Sequence, residues 1–380
     1  MSQNQWATFS GQQLASAYAQ EADALGAIAM SPGFGNLISH YKDYDSYLDA
    51  LNADSNHKKS VELLLKNNGV IDTAVPTKEL AQLFCLAQIA ACCELFKGSK
   101  IDAMQMNRDG MRALIEQGTE TLRNIPEIPL ITPPDQYSES QRSLLNGINI
   151  IQNVDTIRVM QVLKLLGLIN EAASKTQQLS LGVGNGYRDL YGIHQSPKIT
   201  AQQDGSRVRF LFETEERQAS HTVLIDNDPV YASHFETLNS EEGPRVLALN
   251  TDADQALQTL AERQKTGGIA LRNLVLGLRL DHRMIPNSAS FLQSIAGVTD
   301  MEADLVMTIG AGNNLAEFEG RLKCLDELFE TLIASGHKPV RVLLHGKGSS
   351  AEQRSRPNFG QLAYTSYQIL YCKLKRDLLS

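Results

Sequence analysis

From about residue 176 onward, six short apolar runs alternate with helical stretches, and this alternation restricts the fold more than any other feature of the chain. The runs are Gln178-Leu179-Ser180-Leu181, Thr222-Val223-Leu224-Ile225, Arg245-Val246-Leu247-Ala248-Leu249, Leu274-Val275-Leu276-Gly277-Leu278, Asp304-Leu305-Val306-Met307-Thr308-Ile309 and Val340-Arg341-Val342-Leu343-Leu344. Strands that are apolar along their whole length are buried on both faces. When helices separate them, they form parallel crossover units. The pattern predicts an α/β fold with a covered, largely parallel sheet.

Two irregularities refine this. About 35 residues separate Gly186 from the second run, more than one helix requires. Ile199 and Ala201 alternate before Asp204-Gly205, and Val208, Phe210 and Phe212 alternate after it. An Asp-Gly pair between alternating runs signals a hairpin, here over about 198–213. Residues 364–375 alternate tyrosines with aliphatics at the end of the chain, which predicts a seventh strand antiparallel to the sixth.

The first part of the chain has a helical period. Helices are expected over 6–30, 36–52, 57–66, 76–96 and 102–123. Pro126, Pro129, Pro133 and Pro134 make a stiff connector, and a long helical pattern follows over 138–173. The division is therefore an all-helical cap or dimerisation domain, 1–175, and a sheet domain, 176–380. The long helix is too apolar to stand free, which points to a homodimer or to packing on the rest of the chain.

Ligands of such sheets bind beyond the carboxyl ends of the strands. After the first run stand Gly182, Gly184 and Gly186, spaced G-x-G-x-G. Glycine permits positive φ and close approach of a ligand to the backbone. The dinucleotide pattern G-x-G-x-x-G is not met, because Tyr187 occupies its last position. After the second run, Asp226 can accept hydrogen bonds from ribose hydroxyls, with Asp228 as alternate. Asp228 ahead of Pro229 also suits a helix N-cap. After the third run come Asn250 and Asp252, candidates for an adenine amine or for another cap. After the fourth, His282 is a candidate general base oriented by Asp281, set against a solvated loop of mixed charge. A valine at Gly184 is expected to block a ligand and leave thermal stability almost unchanged.

The net charge of −8 and the lack of a long Lys/Arg run argue against nucleic acid as the main partner. No apolar stretch reaches the roughly 18 residues that a membrane span needs. The five cysteines are odd in number and lack C-x-x-C spacing, so they read as reduced, buried thiols of a cytoplasmic protein with no metal cluster.

Taken together, Gly182-x-Gly184-x-Gly186, Asp226, Asn250-Thr251-Asp252 and the closing antiparallel strand resemble the seven-stranded, class I S-adenosylmethionine-dependent methyltransferases. The resemblance covers about half of the chain and implies a Rossmann-like sheet. It also implies S-adenosylmethionine as cofactor, with the three glycines against its methionine part, Asp226 on the ribose and Asp252 near the adenine. Ser180 stands two positions before the first glycine, where the family usually carries an acid. The implied function is methyl transfer to a small-molecule substrate. The alternative is a non-catalytic binding or scaffold protein that kept the sheet.

Overall fold

A computed structural model describes residues 8–9, 53–65, 69–72, 100–102, 128–129, 159–164, 166–169, 172–186, 188–194, 196–205, 207–215, 217–278, 285–309, 315–344 and 367–379. The chain divides into two compact units. One comprises Met1–His57, Gln82–Leu165 and Tyr191–Arg217; the other comprises Lys58–Ala81, Leu166–Leu190 and Gln218–Ser380.

In the first unit, Ser196–Asp204 and Arg207–Glu215 form the expected hairpin, with Asp204 opposite Arg207. Gly205 turns the chain at φ 63°, in the left-handed region that glycine enters without penalty. Lys100–Asp102 pairs antiparallel with the second hairpin strand, and Thr8–Phe9 pairs with Ile128–Pro129. Most of the helices expected in residues 1–175 lie outside the described residues. The helix expected over 57–66 is present as Ser55–Leu65. The 138–173 pattern is described only toward its end, where 159–164 are helical and Val159, Met160, Val162 and Leu163 are buried. That helix does not continue to 173. Leu166–Gly167 form a turn with Gly167 at φ 67°, a conformation that ends a helix.

The second unit is built on one eight-stranded sheet. Its strands are β1 (Val70–Asp72), β2 (Gln177–Leu181), β3 (His221–Asp226), β4 (Val246–Asn250), β5 (Arg272–Gly277), β6 (Thr299–Ile309), β7 (Val340–Leu344) and β8 (Tyr367–Lys375). The spatial order is β1-β7-β8-β6-β5-β2-β3-β4. β8 is antiparallel to both neighbours, and the other pairs are parallel. Each apolar run has become a strand, and β2 to β8 make the Rossmann-like seven-stranded sheet that the sequence implies. The closing strand pairs with the sixth run as expected, and it also slots between the fifth and the sixth. The edge strand β1 was not expected, because three residues carry no legible period.

Besides Ser55–Leu65, whose residues from Lys58 onward belong to this unit, its described α-helices are α1 (Ala232–Glu241), α2 (Ala253–Lys265), α3 (Ser288–Ala296) and α4 (Leu315–Ala334). The Asn287 side chain caps α3 by accepting from Ser290 N at 2.9 Å. α4 ends in a Schellman motif at Gly336 (φ 83°), with His337 N donating to Leu332 O and Gly336 N to Ile333 O. Alternation along β2 and β3 sends Leu179, Leu181, Val223 and Ile225 into one core with Leu257, Leu260, Phe291, Ile295, Leu328 and Leu332 of α2, α3 and α4. The opposite face of β2 presents Gln178 and Ser180, both fully buried and polar.

Candidate active site

Strand order reverses between β2 and β5. β3 and β4 lie on one side of β2, while β5 and the strands after it lie on the other. The crevice at the carboxyl end of β2 is therefore the place where such a sheet holds a ligand. The glycine loop starts there. Gly182, Gly184 and Gly186 have φ of 64°, 59° and 77°, so all three use the left-handed conformation. Gly182 N donates to Ile225 O at 2.8 Å, which fastens the loop to the end of β3, and Gly186 N closes a turn onto Val183 O at 3.1 Å.

The three glycines do different work. A Cβ on Gly186 would stand 2.8 Å from Leu224 Cδ1, so a side chain here adds displacement of that leucine to the strain of φ 77°. A Cβ on Gly184 would lie in ordinary contact with Tyr231, 3.6 Å from its hydroxyl oxygen and 3.8 Å from Cζ. The expectation that valine leaves thermal stability almost unchanged here does not hold. With φ at 59°, a β-branched side chain is strained there whatever it blocks.

Asp226, at the tip of β3, faces this loop. Its Oδ2 accepts from Gly184 N at 2.8 Å and its Oδ1 from Asp228 N at 2.9 Å. Burial pushes its carboxyl above the ordinary range, opposed by these two backbone donors. Asp228 performs the capping role, accepting from Val230 N at 3.0 Å ahead of a short 3₁₀ turn that begins at Pro229. Asn250, at the tip of β4, donates through Nδ2 to Asp226 O (3.0 Å) and Asp228 O (2.7 Å). Its amide thus braces the β3 tip. Asp252 occupies the N-cap position of α2 without a side-chain capping bond, and its Oδ1 accepts from Asn227 Nδ2 at 2.8 Å. Asp281 and His282 lie outside the described residues.

Ser180 is fully buried, and its Oγ accepts from Gln178 Nε2 at 2.9 Å. Sequence inspection missed three neighbours of the loop. His234 Nε2 donates to Asn185 O at 2.8 Å, and Tyr231 rests by Gly184 while stacking on Phe235 at 6.4 Å. The third is the buried pair Arg188–Asp189, which follows the loop directly. An aspartate beside an arginine reads in sequence as a solvated turn. Only their common burial distinguishes them.

Among the described residues, no group of three metal-ligating side chains occurs, and no helix is long and apolar enough to cross a membrane. Among the described residues, Cys324 and Cys372 form no disulfide, and burial pushes the Cys372 thiol up to about 12.

No protein-family model and no curated protein matches the chain. Solved structures do. The CurJ carbon methyltransferase is 12% identical over 96% of this chain and 91% of its own, with a TM-score of 0.34. The O-methyltransferase from Bacillus cereus, in complex with SAH, is 11% identical over 64% of this chain and 84% of its own, at 0.32. A Streptococcus mutans protein assigned as a SAM-dependent methyltransferase is 10% identical over 58% of this chain, which spans 49% of its length, at 0.31. With TM-scores below 0.5, these likenesses carry no inference about activity. The strand order and the loop geometry of this chain stand independently of them.

Proposed function

We propose that the chain binds S-adenosylmethionine in the crevice above β2 and transfers its methyl group to a small-molecule acceptor. One observation carries this: a three-glycine turn at the carboxyl end of the central strand is tied to an acid at the tip of the next strand, Gly184 N to Asp226 Oδ2 at 2.8 Å. The geometry suits an adenosyl group. Each oxygen of Asp226 accepts one backbone N–H and keeps a lone pair, so two acceptor positions remain for vicinal ribose hydroxyls. The lack of a side chain at Gly184, which Tyr231 borders, would let a chain of methylene groups approach its backbone. Gly182, Gly184 and Asp226 would hold the cofactor. Asp228 and Asn250 would act through the β3 tip that they fix, and Asp252 would stand at the adenine side. Ser180 would lie behind the loop.

The cofactor, when bound, supplies an electrophilic methyl on a sulfonium, so the protein has mainly to align the acceptor and exclude water. His282, oriented by Asp281, is proposed to take the acceptor's proton.

Titration calorimetry of the full-length chain with S-adenosylhomocysteine tests the reading. Micromolar binding that Asp226→Ala weakens at least about tenfold is expected, since bonds to charged groups contribute roughly 1.5–3 kcal/mol. A folded protein that binds no adenosyl ligand refutes it.

A further inference from the structure

Gly182, Gly184 and Gly186 all stand at positive φ, so the loop draws little rigidity from its own backbone. Its shape comes from bonds to its peptide units. The Val183–Gly184 unit is held at both ends: Gly184 N donates to Asp226 Oδ2 at 2.8 Å, and Val183 O accepts from Gly186 N at 3.1 Å. The Asn185–Gly186 unit is held at both ends too. Its N–H is the one that reaches Val183 O, and its carbonyl, Asn185 O, accepts from His234 Nε2 at 2.8 Å. A carbonyl only accepts, so Nε2 carries the proton. A peptide unit ahead of a glycine can turn over by about half a rotation, because glycine takes φ of either sign readily. At Gly186, with φ at 77°, such a flip would exchange the directions of the carbonyl and the N–H and would break the turn onto Val183. His234 opposes it from the carbonyl side.

This bond orients the loop rather than the helix, since α1 is the more firmly anchored of the two. Phe235 and Leu238, on either side of the next turn, are buried at 2% and 3% exposure. Further along α1, the Asn239 side chain clips the helix to the edge strand β4. Its Oδ1 accepts from Ala248 N at 2.7 Å, and its Nδ2 donates to Ala248 O at 2.9 Å. The helix is thus a fixed post, and the glycine loop is the compliant partner. We propose that His234 is a positioning residue: from α1 it holds the Asn185–Gly186 peptide in the orientation that an adenosyl ligand meets, without touching that ligand. This role rests on the cofactor reading above. It carries a geometric signature, because the donor has to sit at the reach of Nε2. A glutamine amide nitrogen stands the same number of bonds from Cα as Nε2 does, whereas that of asparagine is one bond short.

Full-length variants titrated with S-adenosylhomocysteine test this. His234 is only partly buried, so its variants are expected to fold. Titrations run well below each melting temperature compare folded proteins, and a loss of global stability alone leaves their Kd unchanged. His234→Leu removes the donor and should weaken binding at least about fivefold, as expected for one hydrogen bond. His234→Gln should bind within about twofold of the wild type, and His234→Asn should behave like His234→Leu. A second measurement needs no ligand. Amide exchange at Gly186, whose N–H is bonded to Val183 O, should quicken at least about fivefold in His234→Leu and His234→Asn and stay near the wild-type rate in His234→Gln. Equal affinity of the wild type and His234→Leu, a loss that glutamine does not restore, or unchanged exchange in His234→Leu overturns the positioning role and leaves the cofactor reading standing. A folded wild-type protein that binds no adenosyl ligand overturns the cofactor reading and this role with it, while quickened Gly186 exchange would still establish the hold of His234 on the loop.

Discussion

Asp226 Oδ2 accepts a hydrogen bond from the Gly184 N–H at 2.8 Å, joining two positions 42 residues apart in the chain. The acid at one strand tip thus sets the middle glycine of the loop at the neighbouring tip. The same carboxylate fixes Asp228 N through its other oxygen, so it shapes the site before any ligand arrives.

Replacing this residue separates its structural and electrostatic contributions. Asp226→Ala leaves two backbone donors unmet and should cost about 1–3 kcal/mol, read as a fall in the urea midpoint. Asp226→Asn keeps one acceptor oxygen and should cost less. Burial raises the Asp226 carboxyl above its ordinary 3.8, so the folded state disfavours ionisation. As pH rises from that ordinary value through the raised one, the wild type should lose stability relative to Asp226→Asn. Urea midpoints measured from about pH 4 to pH 7 should show the wild-type advantage shrinking, and a widening gap would contradict the assignment.

Gly186 and Gly205 share positive φ but not their surroundings. A methyl at Gly186 runs into Leu224 Cδ1 at 2.8 Å, whereas nothing lies within 4 Å of a Cβ at Gly205. Gly205→Ala should cost the left-handed strain alone, about 1–2 kcal/mol. Gly186→Ala should cost that plus overpacking, roughly a further 1–3 kcal/mol. Thermal melts of the two variants compare them directly, and equal losses would mean that Leu224 yields freely.

Burial holds the His337 imidazole below its ordinary 6.5, and its Nε2 accepts from Lys375 N at 3.1 Å. An acceptor at Nε2 places the proton on Nδ1 and requires the neutral ring. The unfolded chain protonates first, so stability should fall as pH drops from about 6.5 through the lower folded value. His337→Gln should lack this component. Its melting temperature, measured against that of the wild type at about pH 7.5 and pH 5.5, should converge with it toward the acid end.

The sheet was legible because each of its long strands is continuously apolar and stands between helical periods. Val223-Leu224-Ile225 and Leu305-Val306-Met307 could hardly be anything else. The hairpin was legible from Asp204-Gly205, whose turn chemistry is local. The N-cap at Asp228 was legible for the same reason. Arg188 and Asp189 were not, since two adjacent charges carry no mark of burial in the sequence, and both are buried. Asn250 is legible as a polar residue at a strand tip, an adenine contact or a cap, but the bonds of its Nδ2 to the carbonyls of Asp226 and Asp228 carry no mark in the sequence. Side-chain type alone does not say whether an amide faces a ligand or its own backbone.

β1 comes from residues 70–72, more than a hundred positions ahead of the first core strand, and runs parallel along the outer flank of β7. Arg341 N donates to Gly69 O there, and the Cβ of any larger residue at position 69 would come within 2.5 Å of Pro339 O, so the fit is close. A truncated chain that began at the glycine-loop half would leave Val340–Leu344 with a bare hydrogen-bonding rim, open to any passing strand of a sister molecule. The upstream segment thus serves as a guard rail, and an expression fragment lacking it should be soluble only until it meets another copy of itself.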